Sequence, residues 1–155
     1  MQPDSKYLIF FLAGEEYGIE ILQVQEIISM LPVTRVPRTP PFIRGVINLR
    51  GKVIPIVDLR EKFGLAPPTE AEQVVIVVRV AGVQLGVIAD SVSDVAAIAD
   101  ADIEPAPDFG DGFRTDFLRG LAKSNGRIRL LLDIGRVFSP DEVSALPTPS
   151  SAAGA

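Results

Sequence analysis

FIRGVINLRGKVIPIVDLREKF, residues Phe42 to Phe63, contains the plan on which the rest of the chain is built. Val46-Ile47 and Val53 to Val57 are β-branched runs on either side of Asn48-Leu49-Arg50-Gly51-Lys52. Two strand-like runs around a polar segment with a glycine predict a β-hairpin, its tip near Arg50 to Lys52. Asp58 stands where a helix N-cap belongs, and Glu61 follows three residues later, as in an acidic capping box. A short helix over 59–63 is therefore expected.

The stretch recurs. Residues Phe117 to Phe138 read FLRGLAKSNGRIRLLLDIGRVF. Without gaps, Phe42, Arg44, Gly45, Gly51, Asp58 and Phe63 fall on Phe117, Arg119, Gly120, Gly126, Asp133 and Phe138. Upstream, Leu12-Ala13-Gly14, Gly18 and Val24 to Ile27 fall on Val80-Ala81-Gly82, Gly86 and Val92 to Val95. Matched glycines, an arginine and an aspartate in one order indicate an internal duplication. Asn48-Leu49-Arg50 corresponds to Lys123-Ser124-Asn125, so the most distinctive residues of the first copy are missing from the second.

Composition narrows the function classes. With 155 residues the chain is one domain or two small interlocked halves. A net charge of −5 argues against nucleic acid, whose phosphates require a basic face. The chain has no Cys and no His, which removes disulfides, thiol chemistry, the usual zinc sites and the usual general base. No cofactor is implied. There is no basic start followed by a signal-type apolar run, and apolar runs such as Val74 to Val78 are far too short to span a bilayer. A reducing, cytoplasmic setting and no direct membrane insertion are expected.

Along the chain, Tyr7 to Leu12 and Tyr17 to Ile21 predict an opening hairpin. Over Ile21 to Ile28 the spacing turns helical, with Ile21, Val24 and Ile28 on one face. Pro32, Pro37, Pro40 and Pro41 cut the next section into short extended pieces, with Val36 as the expected centre of an edge strand. Gln73 to Val80 and Val83 to Asp90 are further strands; Val92 to Ile98 suits a strand or a helical turn. Ala99 to Gly112, acidic and rich in Pro and Gly, is expected as a surface loop. A terminal helix over 134–146, interrupted near Pro140, and a disordered tail over 147–155 complete the chain. Many short strands and few helices predict a mainly β fold of two small barrels rather than a doubly wound sheet.

Several motifs fail on inspection. Gly45 to Lys52 is one residue too long for a phosphate loop and has Val53 where Ser or Thr must bind magnesium. Asp108-Phe109-Gly110 lacks the other elements of a kinase. Asp100, Asp102, Glu104 and Asp108 lack the glycine and terminal glutamate of a calcium loop. They leave one alternative function, a small-ligand or metal sensor or enzyme using the acidic loop 100–116. Asp58 and Asp133 recur together as caps, a structural role. Arg50 differs from them: a planar guanidinium suits carboxylate or amide partners, and only one repeat has it.

YGIEILQVQEI (Tyr17 to Ile27), FIRGVINLRGKVIPIVDL (Phe42 to Leu59) and Ser93 to Val95 together resemble the CheW family of bacterial chemotaxis coupling proteins. The resemblance spans about Lys6 to Phe138. It implies a single domain, 6–138, of two intertwined SH3-like five-stranded barrels around a hydrophobic junction. It implies no catalytic activity and no metal. It implies an adaptor between the cytoplasmic tip of methyl-accepting chemoreceptors and the regulatory domain of a CheA-type histidine kinase, placed at membrane receptor arrays. By similarity the receptor-binding positions are Val24, Glu26, Asn48, Arg50, Val74 and Val95, with Arg50 foremost. The kinase surface is expected on the first barrel, its residues unassigned. Ser29 to Pro41 departs from the family pattern by its prolines, and Met30-Leu31 is expected to be exposed there.

Overall fold

A computed structural model describes residues 5–65, 73–80, 82–105, 117–124 and 126–138. The strands are β1 (Ser5–Leu12), β2 (Glu15–Glu20), β3 (Val24–Ser29), β4 (Ile43–Leu49), β5 (Lys52–Asp58), β6 (Val74–Val80), β7 (Val83–Ala89), β8 (Ser91–Ile98), β9 (Ile103–Glu104), β10 (Leu118–Ser124) and β11 (Arg127–Leu132). Two short helices, α1 (Leu59–Phe63) and α2 (Ile134–Val137), follow the equivalent hairpins.

The strands form a five-stranded sheet, β3-β6-β7-β5-β4, and a six-stranded sheet, β8-β1-β2-β11-β10-β9. Each draws on both halves of the sequence. The hairpin β6–β7 receives β3, β4 and β5 from the first half, and β1–β2 receives β8 to β11 from the second. The joins between halves include two parallel pairs, β5 with β7 and β2 with β11, where the hairpins themselves are antiparallel. The mainly β fold is as expected, with β9 as a sixth strand in one sheet.

Burial explains why two sheets curl into two units. Ile47, Leu49, Ile54, Ile56, Val75, Val77 and Ile88 form one cluster, and Ile28 packs against it, so all five strands of the first sheet face one interior. Tyr7, Ile9, Ile98, Ala122 and Leu131 form the interior of the second. Between them lies the largest cluster, with Leu8, Phe10 and Leu12 from one sheet and Ile76, Val78 and Val80 from the other. Alternation along a strand sends successive side chains to opposite faces. Thus Tyr7 and Ile9 fill a sheet's own interior, while Leu8 and Phe10 fill the junction. Residues 74–78 are apolar on both faces for this reason.

The duplication is visible in detail. Register shifts occur at Ile43/Gly45 and at Leu118/Gly120. A Cβ on Gly45 would lie 2.1 Å from the Thr34 carbonyl oxygen, and one on Gly120 would lie 2.6 Å from that of Glu104. The Asp58 N–H donates to the Phe42 carbonyl and the Asp133 N–H to that of Phe117, at 2.7 and 2.8 Å. Both aspartates cap: Arg60 N–H donates to Asp58, and Gly135 N–H to Asp133. Gly18 opposes Leu131 and Gly86 opposes Ile56 at the two parallel joins.

Four expectations need correction. Residues 24–29 are the strand β3, not a helix; only Ile21–Gln23 makes a single 3-10 turn. The neighbour β6 decides this, since every second residue of β3 is half-buried against it. The bridge to β4 falls on Thr34, opposite Val46, rather than on Val36. Met30 and Leu31 pack against the first sheet's interior cluster instead of standing exposed. The start of the acidic loop is a 3-10 turn, Asp100–Asp102, followed by β9. The remainder of that loop from 106 to 116, the helix expected over 139–146 and the tail 147–155 lie outside the described residues.

Candidate functional site

The β4–β5 hairpin closes through Arg50 and Gly51, with φ of 51° and 87°. Two residues at positive φ match the right-handed twist of the strands that they join. Glycine tolerates this conformation; arginine rarely adopts it. The Gly51 N–H donates to Asn48 Oδ1 at 2.8 Å, and this bond braces the tip. Asn48 therefore positions Arg50, whose side chain is 69% exposed.

Arg50 forms a hydrogen-bonded ion pair with Glu26. β3 and β4 are the two edges of their sheet, so this pair crosses the seam where the rolled sheet meets itself. The hydrogen bond that Arg50 donates to Glu26, and then the carboxylate charge, raises the guanidinium pKa further, leaving Arg50 a permanent cation. Glu26 is half-buried rather than on a freely solvated face.

The apolar positions lie elsewhere along the junction. Val24 and Val74 sit at opposite ends of the β3–β6 pair, and both pack against the junction cluster. Val95 belongs to the other sheet, on β8 opposite Leu8, and is 48% exposed. Paired residues point to one side of a sheet, so Val95 lies on the junction side with Leu8. Ile27, opposite Ile76 and 44% exposed, is its repeat counterpart. The sequence reading missed Ile27 as a site residue; its alignment with Val95 is the signal that would have found it. The structure thus joins Arg50, Glu26 and Asn48 at one tip and distributes Val24, Val74 and Val95 along the junction.

Elsewhere the charges are structural. Glu16 on β2 accepts from Arg129 at 3.0 Å and from Arg127 at 2.8 Å, both on β11, and so ties the parallel join. The Arg129 hydrogen bond holds the Glu16 carboxyl below its ordinary pKa despite burial. Arg60 of α1 pairs with Asp90 at 2.6 Å. Among the described residues no three carboxylates gather where they could hold a metal. Nor is any described helix long and apolar enough to cross a membrane.

Comparison with known proteins agrees with this architecture. The model of the CheW-like domain matches residues 6–142. The chemotaxis protein CheW of Klebsiella aerogenes is 43% identical over 141 residues, covering 90% of this chain and 85% of the relative. CheW of Rhizobium meliloti is 39% identical over 144 residues, 91% of this chain and 92% of the relative. The crystal structure of the scaffolding protein TtCheW from Thermoanaerobacter tengcongensis superposes with a TM-score of 0.81 at 34% identity, covering 92% of each chain. With the family model matched over nearly the whole described chain and the double-sheet architecture shared, this chain belongs to the CheW family of non-catalytic chemotaxis scaffold proteins.

Proposed function

We propose that this chain couples the cytoplasmic tip of a methyl-accepting chemoreceptor to the regulatory domain of a CheA-type histidine kinase. It works as one domain, 6–138, at membrane receptor arrays. Arg50, braced by Asn48 and oriented by Glu26, makes the polar contact with the receptor. Val24, Val74 and Val95 supply apolar area on either side of the junction. The observation carrying this reading is Arg50 itself: an exposed arginine held at positive φ and paired across the seam, where the sequence of the second repeat has an asparagine. Unfavourable backbone that is retained at an exposed position points to binding rather than folding. Coupling would follow from different contacts with the two receptor states.

Calorimetric titration with a CheA regulatory domain from the same source tests the first half. Saturable micromolar or tighter binding, roughly −8 kcal/mol or better, is expected. No detectable heat with any encoded CheA-type kinase would remove the coupler reading. For the second half, Arg50→Glu should weaken binding to a receptor tip at least about tenfold, as loss of a hot spot does, with kinase binding and melting temperature unchanged. A melting temperature that falls along with affinity would make Arg50 a structural residue.

A further inference from the structure

Between Glu26 and Asp58 the chain carries five cations, Arg35, Arg38, Arg44, Arg50 and Lys52, and no carboxylate. This occurs in a molecule whose net charge is −5. Arg50 and Arg44 have internal partners, Glu26 and Asp58. Arg35 and Arg38 are exposed and pair with no carboxylate among the described residues. Arg35 and Arg44 line a pocket of about 440 Å³ with Val36, Pro37, Pro40 and Ile43.

The duplication supplies the control. The counterpart around β10 is lined by Leu118 and Arg119, equivalent to Ile43 and Arg44, and by Ile103 and Arg136. It also contains Asp100 and Asp133, and Arg136 meets Asp133 within the lining. Arg119 pairs with Glu20, and Arg136 with Asp133 at 3.5 Å. Arg44 and Arg119 are thus both paired, with Asp58 and Glu20, and the two hollows differ in that Asp100 and Asp133 line the second while the first has Arg35 in its lining and no carboxylate.

The walls of the basic pocket are set in advance. Pro37, Pro40 and Pro41 fix three φ angles and remove three N–H groups. The Thr39 hydroxyl donates to the Val36 carbonyl at 2.9 Å, and the Ile43 N–H donates to that of Pro40 at 3.0 Å. Thr34 exchanges two backbone bonds with Val46, each 2.8 Å. Beside these walls the Arg35 and Arg38 guanidiniums are exposed donors with no internal carboxylate among the described residues. Their forked geometry suits carboxylates, and a rigid wall lowers the entropy lost on binding.

From these observations we infer that the surface carrying Arg35 and Arg38 beside this pocket docks an acidic segment of a protein partner, its Asp or Glu side chains taken by these two arginines and its stem resting on the prolines. The site lies at the opposite end of β4 from Arg50, six residues or about 20 Å along the strand. It is separate from the proposed receptor contact and holds whichever partner supplies the segment. Two such arginines are fewer than the roughly four to eight that mark an anionic membrane site.

Fluorescein-labelled hexaglutamate titrated into the full-length protein, read by anisotropy, tests this. Saturable binding is expected, with amide NMR shifts centred on Thr34, Val36, Thr39 and Arg44. Arg35→Glu/Arg38→Glu should weaken it at least tenfold at unchanged melting temperature, whereas Arg79→Glu on β6 should leave it within twofold. Arg35→Lys/Arg38→Lys should retain part of the affinity, because charge stays while the fork is lost. The inference fails if binding is absent, if shifts centre on Arg50 and Lys52, if the double Glu variant binds like wild type, or if inorganic phosphate at equal concentration displaces the peptide.

Discussion

The two hairpins β4–β5 and β10–β11 share register shifts, capping aspartates and tight glycines, and they differ at their tips. The second hairpin has Gly126 at its tip, with φ of 78°, and asparagine before it in the sequence, a dipeptide suited to positive φ. The first turns at Arg50-Gly51, and Arg50 needs Asn48 beneath it and Glu26 beside it. What both copies keep is required to build a barrel. What one copy keeps at a conformational cost is what the barrel displays. The same division separates the pocket lined by Arg35, which has no carboxylate in its lining, from its counterpart near Arg119, which is lined by Asp100 and Asp133.

The comparison can be broken first at a shared residue. Gly45→Ala would place a methyl carbon within 2.1 Å of a backbone oxygen. We expect a loss of about 3 kcal/mol or more in urea denaturation, with Gly120→Ala close behind. If either is tolerated, the bulges are not what both copies need.

Glu16 offers a difference within the scaffold, since the repeat places Gln84 at its position in the other sheet. Its pairs with Arg127 and Arg129 exist only at the β2–β11 join. Glu16→Gln should cost about 2 kcal/mol at neutral pH, the scale of hydrogen bonds to charged groups. Because the folded carboxyl is held below its ordinary 4.5, its contribution is complete above that pH and is lost as pH falls through the depressed value. Denaturation profiles from pH 7 to 2 should therefore fall more steeply for the wild type in the acid limb. Parallel profiles would place the acid sensitivity elsewhere.

Arg50→Asn gives the smallest expected stability effect and sharpens the comparison most, because it gives the first tip the residue of the second. Asparagine adopts positive φ more readily, so the melting temperature should hold or rise. Receptor-tip affinity should fall by about tenfold. A destabilised variant would show that the seam pair with Glu26 is a fold requirement.

How much of this the sequence carried depends on distance along the chain. The hairpin, its tip, the Asp58 cap and α1 were readable because each rests on neighbours within a few residues. The repeat exposed the second hairpin and, through Val95, contained Ile27 as well. β3 was misread because VQEIIS fits both periods, and the deciding surface belongs to β6, about 50 residues later. The Arg50–Glu26 pair, separated by 24 residues, depends on how far a sheet rolls. The exchange of strands between sheets has no local signal at all; each strand reads the same whichever sheet it joins.

That exchange also determines when the molecule can work. The pairing of Glu16 with Arg129 closes a loop of 113 residues, and neither sheet is complete until strands from both halves have been made. Topologies dominated by such distant contacts fold slowly. On the ribosome, Arg50 is synthesised early but has no seam to sit on until β6 and β7 follow. A nascent chain therefore presents no finished docking face to sequester a partner, and a truncated product would fail silently rather than occupy one end of a signalling complex.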